Sequence, residues 1–194
     1  MAVRFSLICD THISVFRSLV KLDGKFIIQV FIPTVMILRI DGLFNRINFS
    51  AAHFIPSIEK CSRLHGHDYS ISLELEGEPV DGILIDYGIV KTSIRGIISD
   101  MDHKVLLPHS SSTTRVNCDH KRCTVTYGTK EFIFPVGDVY LLERDVTSSE
   151  MLADYITQKL AEKLKPYRNI EKVQVCVYEG PGQCTCQERK LSAL

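Results

Sequence analysis

The sequence has no formal net charge at pH 7, no long uncharged apolar run and no regular cysteine framework. Lysine plus arginine equals aspartate plus glutamate at 23 each, so no overall field draws the chain to nucleic acid or to an anionic membrane. Any anion site must therefore be local. We expect a small molecule as the partner, with neither nucleic acid nor a membrane bound.

The apolar stretch at residues 26–38 is too short to cross a membrane. It carries Gln29 and Pro33, and a membrane helix needs roughly 20 apolar residues. The charged residues Lys21 and Lys25 precede it and no small-residue cleavage site follows, so a secretory signal is not indicated. We interpret residues 1–35 as an appended N-terminal segment without a catalytic role, either poorly ordered or a product of start-site choice, and residues 36–194 as the functional domain.

The seven cysteines predict reduced thiols rather than a disulfide scaffold. A chain of 194 residues with 45% hydrophobic residues can bury a single core without covalent staples. A cytoplasmic location agrees with this. Cys118 and Cys123, together with Cys184 and Cys186, could suggest a second metal site, but their spacing matches no zinc pattern and favours a structural role.

Residues 61–69, C-S-R-L-H-G-H-D-Y, carry the clearest chemical signal. On a strand, His65 and His67 lie on one face, and Gly66 between them leaves room for a third group. His53 ends another strand-like run that could pair with the first. Three imidazoles without a fourth protein ligand form a catalytic zinc arrangement, because the open position admits water or substrate. An H-x-H motif alone is more often two unrelated surface histidines. The rest of the sequence must therefore decide between that interpretation and a metal site.

Period-two alternation and turn residues predict several strands. Residues 35–49 contain two strand-like pieces around Asp41 and Gly42, which indicate a hairpin or a bulge. The other predicted strands are residues 69–76, 83–85, 139–142 and 173–178, and a hairpin of residues 123–127 and 131–134 is inserted between the helices.

Two helices are predicted from apolar residues at helical spacing. The first covers residues 88–101, with Ile89, Val90 and Ile94 at the start of its buried stripe. The second follows residues 147–150, T-S-S-E, which have the pattern of a capping box, and it ends at Pro166.

Six motifs in order resemble those of the 6-pyruvoyltetrahydropterin synthases and 6-carboxytetrahydropterin synthases. The C-x-x-x-H-G-H spacing is more similar to the 6-carboxy branch, which serves deazaguanine (queuosine-type) biosynthesis. The six motifs are residues 49–53, 61–67, 82–87, 102–103, 147–150 and 177–179.

The resemblance implies an α+β tunnelling fold. In that fold two helices cover one face of a four-stranded antiparallel sheet, here with an inserted hairpin. Such a small sheet does not close by itself. The resemblance therefore implies a barrel formed by oligomerisation, as a homohexamer built from two trimers, with sites at the subunit interfaces.

The resemblance also implies an activity and residue roles. The expected reaction converts 7,8-dihydroneopterin triphosphate to 6-carboxy-5,6,7,8-tetrahydropterin and releases acetaldehyde and triphosphate. Zn²⁺ is the expected cofactor, and it would bind the substrate's side-chain oxygens and acidify the neighbouring proton. His53, His65 and His67 are the implied zinc ligands, Cys61 the base, Asp102 and His103 its relay partners, and Glu179 the pterin-binding carboxylate.

Three alternatives stay open at this point. The product could instead be 6-pyruvoyltetrahydropterin, formed by triphosphate elimination without loss of carbon. Cys61 could be a fourth zinc ligand, which would make the protein a non-catalytic oligomeric scaffold. The sequence also leaves open which cation binds the triphosphate, since Lys60, Arg63 and Lys104 are near the motifs only in sequence.

Overall fold

The computed structural model describes residues 35–191. From residues 1–34 it describes only the backbone of three strands, β1 (Arg4–Phe5), β2 (Phe16–Leu22) and β3 (Lys25–Phe31), which form an antiparallel sheet in the order β1-β2-β3. The predictions made for the N-terminal segment otherwise concern residues outside the described ones.

The main sheet has seven strands in the described part of the chain. The strands are β4 (Met36–Ile40), β5 (Asn48–His53), β6 (His65–Gly77), β7 (Lys104–Pro108), β11 (Val139–Leu142), β12 (Ile170–Gly180) and β13 (Gln183–Lys190). Their order in the sheet is β11-β7-β5-β6-β12-β13, and β4 also pairs with β6.

The predicted count of four antiparallel strands was therefore wrong. β7 lies parallel to β5, and β11 lies parallel to β7, so the sheet is mixed. The polar strand β13 adds to the edge of β12 after Gly182, whose φ of 90° allows the tight turn. The predicted strand at residues 83–85 reduces to an isolated bridge between Ile83 and Val80.

The long strand β6 organises the sheet, because β5 and β4 pair with it one after the other. Its buried residues Tyr69, Ile71, Leu73 and Leu75 alternate as predicted. The predicted hairpin at Asp41 was wrong, because α1 (Gly42–Asn45) separates β4 from β5 and Asp41 caps it, accepting a hydrogen bond from the Phe44 amide at 3.1 Å.

Two longer helices share a core with the sheet. They are α2 (Tyr87–Ile98), continued by a 3₁₀ turn (Ser99–Met101), and α3 (Ser149–Leu164). In α2 the predicted stripe is buried except for Ile89, which is 39% exposed. The α3 side chains Leu152, Ile156 and Leu160 pack against the same core. Within the described residues, no helix is both long and apolar enough to span a membrane.

The inserted hairpin is confirmed and is part of a separate three-stranded sheet. This sheet is β8 (Arg115–Cys118), β9 (Arg122–Tyr127) and β10 (Lys130–Pro135), followed by a 3₁₀ turn (Val136–Asp138). Its small core includes Phe54, whose ring stacks on Tyr127 at 4.7 Å and on Phe132 at 5.6 Å between centroids. The insertion therefore packs beside the residue that follows His53.

Candidate metal and substrate site

Three histidines converge where β5 and β6 pair. His53, the last residue of β5, lies directly opposite His65, and His67 is on the same face as His65 two residues later. Their ring centroids are 4.6 to 5.1 Å apart. One ring nitrogen from each lies within 4.8 Å of the others. The strand register thus brings together all three predicted metal ligands.

Each of these histidines is oriented by a backbone carbonyl. The Nδ1 atom of His53 lies 2.7 Å from the oxygen of Thr147, that of His65 lies 2.7 Å from the oxygen of Arg63, and that of His67 lies 3.2 Å from the oxygen of Glu179. A carbonyl can only accept, so each Nδ1 carries the proton and each Nε2 keeps its lone pair. Such outer hydrogen bonds fix the tautomer of metal-ligating histidines.

The Nε2 atoms of His53 and His65 face each other at 3.1 Å. With both Nδ1 atoms protonated, this contact sets two lone pairs against each other unless a cation lies between them. Tetrahedral zinc with Zn–N bonds of about 2.0–2.1 Å separates its nitrogen ligands by about 3.3 Å. The donor set and its spacing therefore fit a metal ion such as zinc.

The burial of His53 keeps it neutral. This side chain is 2% exposed, and burial lowers its pKa to about 4, with a smaller contribution from the nearby His65 and His67 and an opposing one from the Thr147 carbonyl. The hydroxyl of Tyr69 lies 3.4 Å from His53 Nδ1, and burial together with the charge of Glu179 raises the pKa of that phenol. A neutral imidazole is the form that binds metal.

Thr147 serves this site rather than a capping box. The residue is buried, its carbonyl holds His53, and its hydroxyl donates to the carbonyl of Phe54 at 3.5 Å. The N-cap of α3 is Ser148, whose side chain makes no capping hydrogen bond. The predicted capping box was therefore wrong, although the helix starts where it was expected.

Asp102 and His103 form an ion-pair-type contact next to the histidine cluster. His103 Nδ1 lies 3.0 Å from Asp102 Oδ2, while Asp102 Oδ1 accepts a hydrogen bond from the Ser50 amide at 2.9 Å. The Ser50 amide, and then His103, hold the pKa of the Asp102 carboxyl below its usual value. The His103 ring is exposed and, with His67, lines an open depression.

Cys61 and Glu179 lie on different elements of the fold. Cys61 is free and half-buried in the loop between β5 and β6, and its sulfur is not among the converging donor atoms. No hydrogen bond joins Cys61 to His103 within the described part of the chain. Glu179 sits at an irregularity in β12, where its carbonyl holds His67 and its side chain lines a small pocket with Ser149 and Cys184.

The prediction of reduced thiols was wrong for four cysteines. Cys118 is bonded to Cys123 and Cys176 to Cys186, in both cases because antiparallel pairing places the two residues directly opposite each other. Among the described residues, Cys61 and Cys184 remain free. Sequence spacing alone missed the second pair because β13 was not predicted.

Sequence reasoning also missed the carbonyls of Arg63 and Thr147 and the phenol of Tyr69. A backbone carbonyl carries no residue signature, so only the fold reveals the first two. Tyr69 offered a usable signal, since it continues the His65 and His67 face of β6.

Comparisons with known proteins identify the family of this chain. The family model for 6-pyruvoyl tetrahydropterin synthase matches residues 43–190. A protein of Methanocaldococcus jannaschii, provisionally named 6-carboxy-5,6,7,8-tetrahydropterin synthase, is 32% identical over 160 residues, which are 80% of this chain and 98% of that protein. The Bacillus subtilis 6-carboxy-5,6,7,8-tetrahydropterin synthase is 38% identical over 66 residues, which are 32% of this chain and 43% of that enzyme.

Among solved structures, the 6-pyruvoyl tetrahydropterin synthase of Plasmodium vivax superposes with a TM-score of 0.74 at 28% identity. The superposition covers 81% of this chain and 99% of that one. The family match over residues 43–190 includes β5 and β6, which carry the three histidines, and both longer helices. The chain therefore belongs to the 6-pyruvoyl tetrahydropterin synthase family.

Proposed function

We propose that this chain is a zinc-dependent lyase of the 6-carboxytetrahydropterin synthase type. Its substrate is 7,8-dihydroneopterin triphosphate, and its products are 6-carboxy-5,6,7,8-tetrahydropterin, acetaldehyde and triphosphate. The observation that carries the proposal is the set of three imidazoles whose Nδ1 atoms are all held by carbonyls, which leaves three Nε2 atoms for one ion. The names of the curated relatives favour the 6-carboxy product.

His53, His65 and His67 would hold the metal, and Zn²⁺ bound there would act as a Lewis acid toward the oxygens of the substrate side chain. Glu179 accepts the adjacent N–H donors of the pterin edge in a bidentate, charge-assisted contact. The position of Glu179 supports this role, because the residue that binds the ring also holds His67 through its carbonyl. Ring binding and metal binding are thereby set at a fixed spacing.

Cys61 is the proposed base that removes the substrate proton. A free thiol has a pKa near 8.5, so it needs a neighbour that favours the thiolate. Asp102 orients His103 for that task through Nδ1, which leaves Nε2 of His103 exposed toward solvent. Since no hydrogen bond joins Cys61 to His103 in the described part of one chain, we propose that a neighbouring subunit of a homohexamer completes the relay.

A single incubation tests the reaction. Metal-loaded protein is mixed with 7,8-dihydroneopterin triphosphate, and acetaldehyde, triphosphate and the pterin are quantified. Equal amounts of acetaldehyde and 6-carboxytetrahydropterin are expected. Triphosphate without acetaldehyde would indicate the second candidate, 6-pyruvoyltetrahydropterin synthase. The similarity to the Plasmodium vivax structure is the observation that favours this candidate. No turnover at all, with metal bound, would favour the scaffold hypothesis.

Two further parts of the proposal concern the setting. We propose a cytoplasmic location because the proposed substrate is a small phosphorylated molecule. Size-exclusion chromatography coupled to light scattering checks the hexamer. The mass of one chain is 22.0 kDa, so a hexamer is readily told from a trimer.

A further inference from the structure

A second cluster of donor atoms lies on the hairpin of β12 and β13. Cys176, Cys184 and Cys186 place their three sulfur atoms within 4.8 Å of one another. Two of them, Cys176 and Cys186, are disulfide-bonded, and the third, Cys184, lies with its sulfur 3.8 Å from that of Cys186. None of these residues is one of the three histidine ligands, although Cys184 lines the small pocket of Glu179.

The register of the hairpin explains the cluster. The turn at residues 181–182 pairs Cys176 with Cys186 and Tyr178 with Cys184. Cys184 and Cys186 are two residues apart on one strand, so both point to the same face. Val175 and Val177 of β12 are buried in the core, so the alternating residue Cys176 points away from it. All three sulfurs therefore share the sheet face opposite the main core.

We propose that this cluster is a three-thiolate site for a soft divalent metal ion, closed while the Cys176–Cys186 disulfide is intact and open when it is reduced. Thiolates select Zn²⁺ and its heavier congener Cd²⁺ over hard cations such as Mg²⁺. Sulfur ligands of tetrahedral zinc, at Zn–S bonds of about 2.3 Å, lie about 3.8 Å apart. The Cys184 and Cys186 sulfurs already have that separation.

The chemistry balances with a dithiol as reductant. The dithiol breaks the S–S bond, supplies two electrons and two protons to give the thiols of Cys176 and Cys186, and becomes a disulfide itself. Binding of the ion then releases the three thiol protons to solvent. Cys184 and Cys186 are exposed, so both the reductant and the ion have access. The fourth position is left to a solvent or small-molecule ligand.

The surroundings hold the cluster in place without the disulfide. Cys184 lies directly opposite Tyr178 in the antiparallel ladder of β12 and β13, which continues to the pair Lys172 and Lys190. The hydroxyl of Thr157 in α3 donates mainly to the Ala153 carbonyl at 2.6 Å and also lies 3.3 Å from the carbonyl oxygen of Gln187, the residue after Cys186. We therefore expect β13 to stay paired with β12 after reduction.

Cadmium titration of the full chain tests the site, because cadmium bound to thiolate gives an ultraviolet charge-transfer absorption that cadmium bound to histidine does not. The protein is reduced with a phosphine, which adds no thiol of its own. The absorption is expected in the reduced protein and not in the oxidised one. Cys184→Ser, which leaves the disulfide pair intact, should weaken cadmium binding on the order of 100-fold after reduction.

Matched variants separate this site from the others. The Cys118→Ser/Cys123→Ser double variant and Cys61→Ser should keep the absorption, and so should His65→Ala, whatever becomes of the histidine site. Circular dichroism of the reduced chain is recorded in parallel. A reduced protein that unfolds, that shows no charge-transfer absorption, or that binds cadmium equally well with Cys184→Ser would overturn the proposal.

Discussion

The ammonium group of Lys130 lies 2.9 Å from the carbonyl oxygen of Ser62 and joins the inserted sheet to the loop that carries Cys61. The hydroxyl of Tyr127 donates to the same carbonyl oxygen. The insertion thus holds the residue next to the proposed base, and it also packs on Phe54, next to His53. It supports the site from outside the main sheet.

Replacing Lys130 should therefore lower turnover as well as stability. In Lys130→Met the loop loses the hydrogen bonds that the ammonium group donates to the carbonyl oxygen and to the hydroxyl of Ser62, at 2.9 and 3.2 Å. A hydrogen bond to a charged group contributes about 1.5–3 kcal/mol at most. A base displaced by a fraction of an ångström costs roughly 10- to 100-fold in rate. Turnover and thermal unfolding are measured side by side, with Lys121→Met, an exposed lysine of the same inserted sheet, as the control. Equal turnover in the two variants would show that the contact does not position Cys61.

Cys61→Ala should abolish turnover and leave the metal bound. Three imidazoles still hold the ion, whereas loss of general-base catalysis costs roughly 100- to 10,000-fold in rate. Metal content and turnover are measured on one preparation. A variant that loses its metal would identify Cys61 as a fourth ligand and would contradict the proposed base.

His65→Ala should lose the metal of the histidine site, because two nitrogens remain from a set of three. The matched control is His103→Ala, which removes an exposed imidazole outside the converging set and should retain the ion. Metal content is measured by elemental analysis of oxidised protein, so that the cysteine cluster is closed. Full metal content in His65→Ala would refute the ligand assignment.

The metal-free protein should lose stability as the pH falls from about 6.5 to about 4. The pKa of His53 is about 4 in the folded chain and about 6.5 when unfolded, so in this range the unfolded state binds more protons. The loss attributable to His53 is about 3 kcal/mol and is complete below pH 4. Chemical denaturation at a series of pH values measures it.

The control for this pH dependence is His53→Gln, which should flatten the curve over the same range, whereas His109→Gln, an exposed histidine, should not. Metal-loaded wild type should also resist acid better than the metal-free chain, because the ion competes with protons for the imidazoles. If the free energy of unfolding of His53→Gln fell with pH as steeply as that of the wild type, another group would control the loss of stability at acidic pH.

Periodicity and motif order gave the parts of the fold that depend on local sequence. Alternation along β6 predicted its buried face, and the stripe on α2 predicted its packing, because each pattern follows from the geometry of one element. β7 and β13 were missed for different reasons. β7 is a short strand of five residues after a turn. β13 is a polar edge strand, which is defined by its pairing with β12 and not by a pattern in its own residues.

For the candidate site, too, only features carried by local sequence could be predicted. His65 and His67 could be selected because their period-two spacing is visible in the sequence, and His53 because it ends a neighbouring strand-like run. The Asp41 hairpin was misjudged because the close approach of Gly42 to the Ile71 backbone, where a Cβ would lie 2.0 Å from the carbonyl oxygen, is a tertiary property. The disulfides depended likewise on a register that no single strand encodes.

The carbonyls that hold the three histidines come from distant parts of the chain, and this sets the order in which the site can form during synthesis. The carbonyl that holds His65 belongs to Arg63, two residues away. The carbonyl that holds His53 belongs to Thr147, 94 residues later, and the one that holds His67 belongs to Glu179, 112 residues later. Such long loops close late in folding. On a ribosome-bound chain, the proposed metal ion would therefore find all three histidines in their final geometry only after β12 has emerged, so metal capture would report completion of the fold.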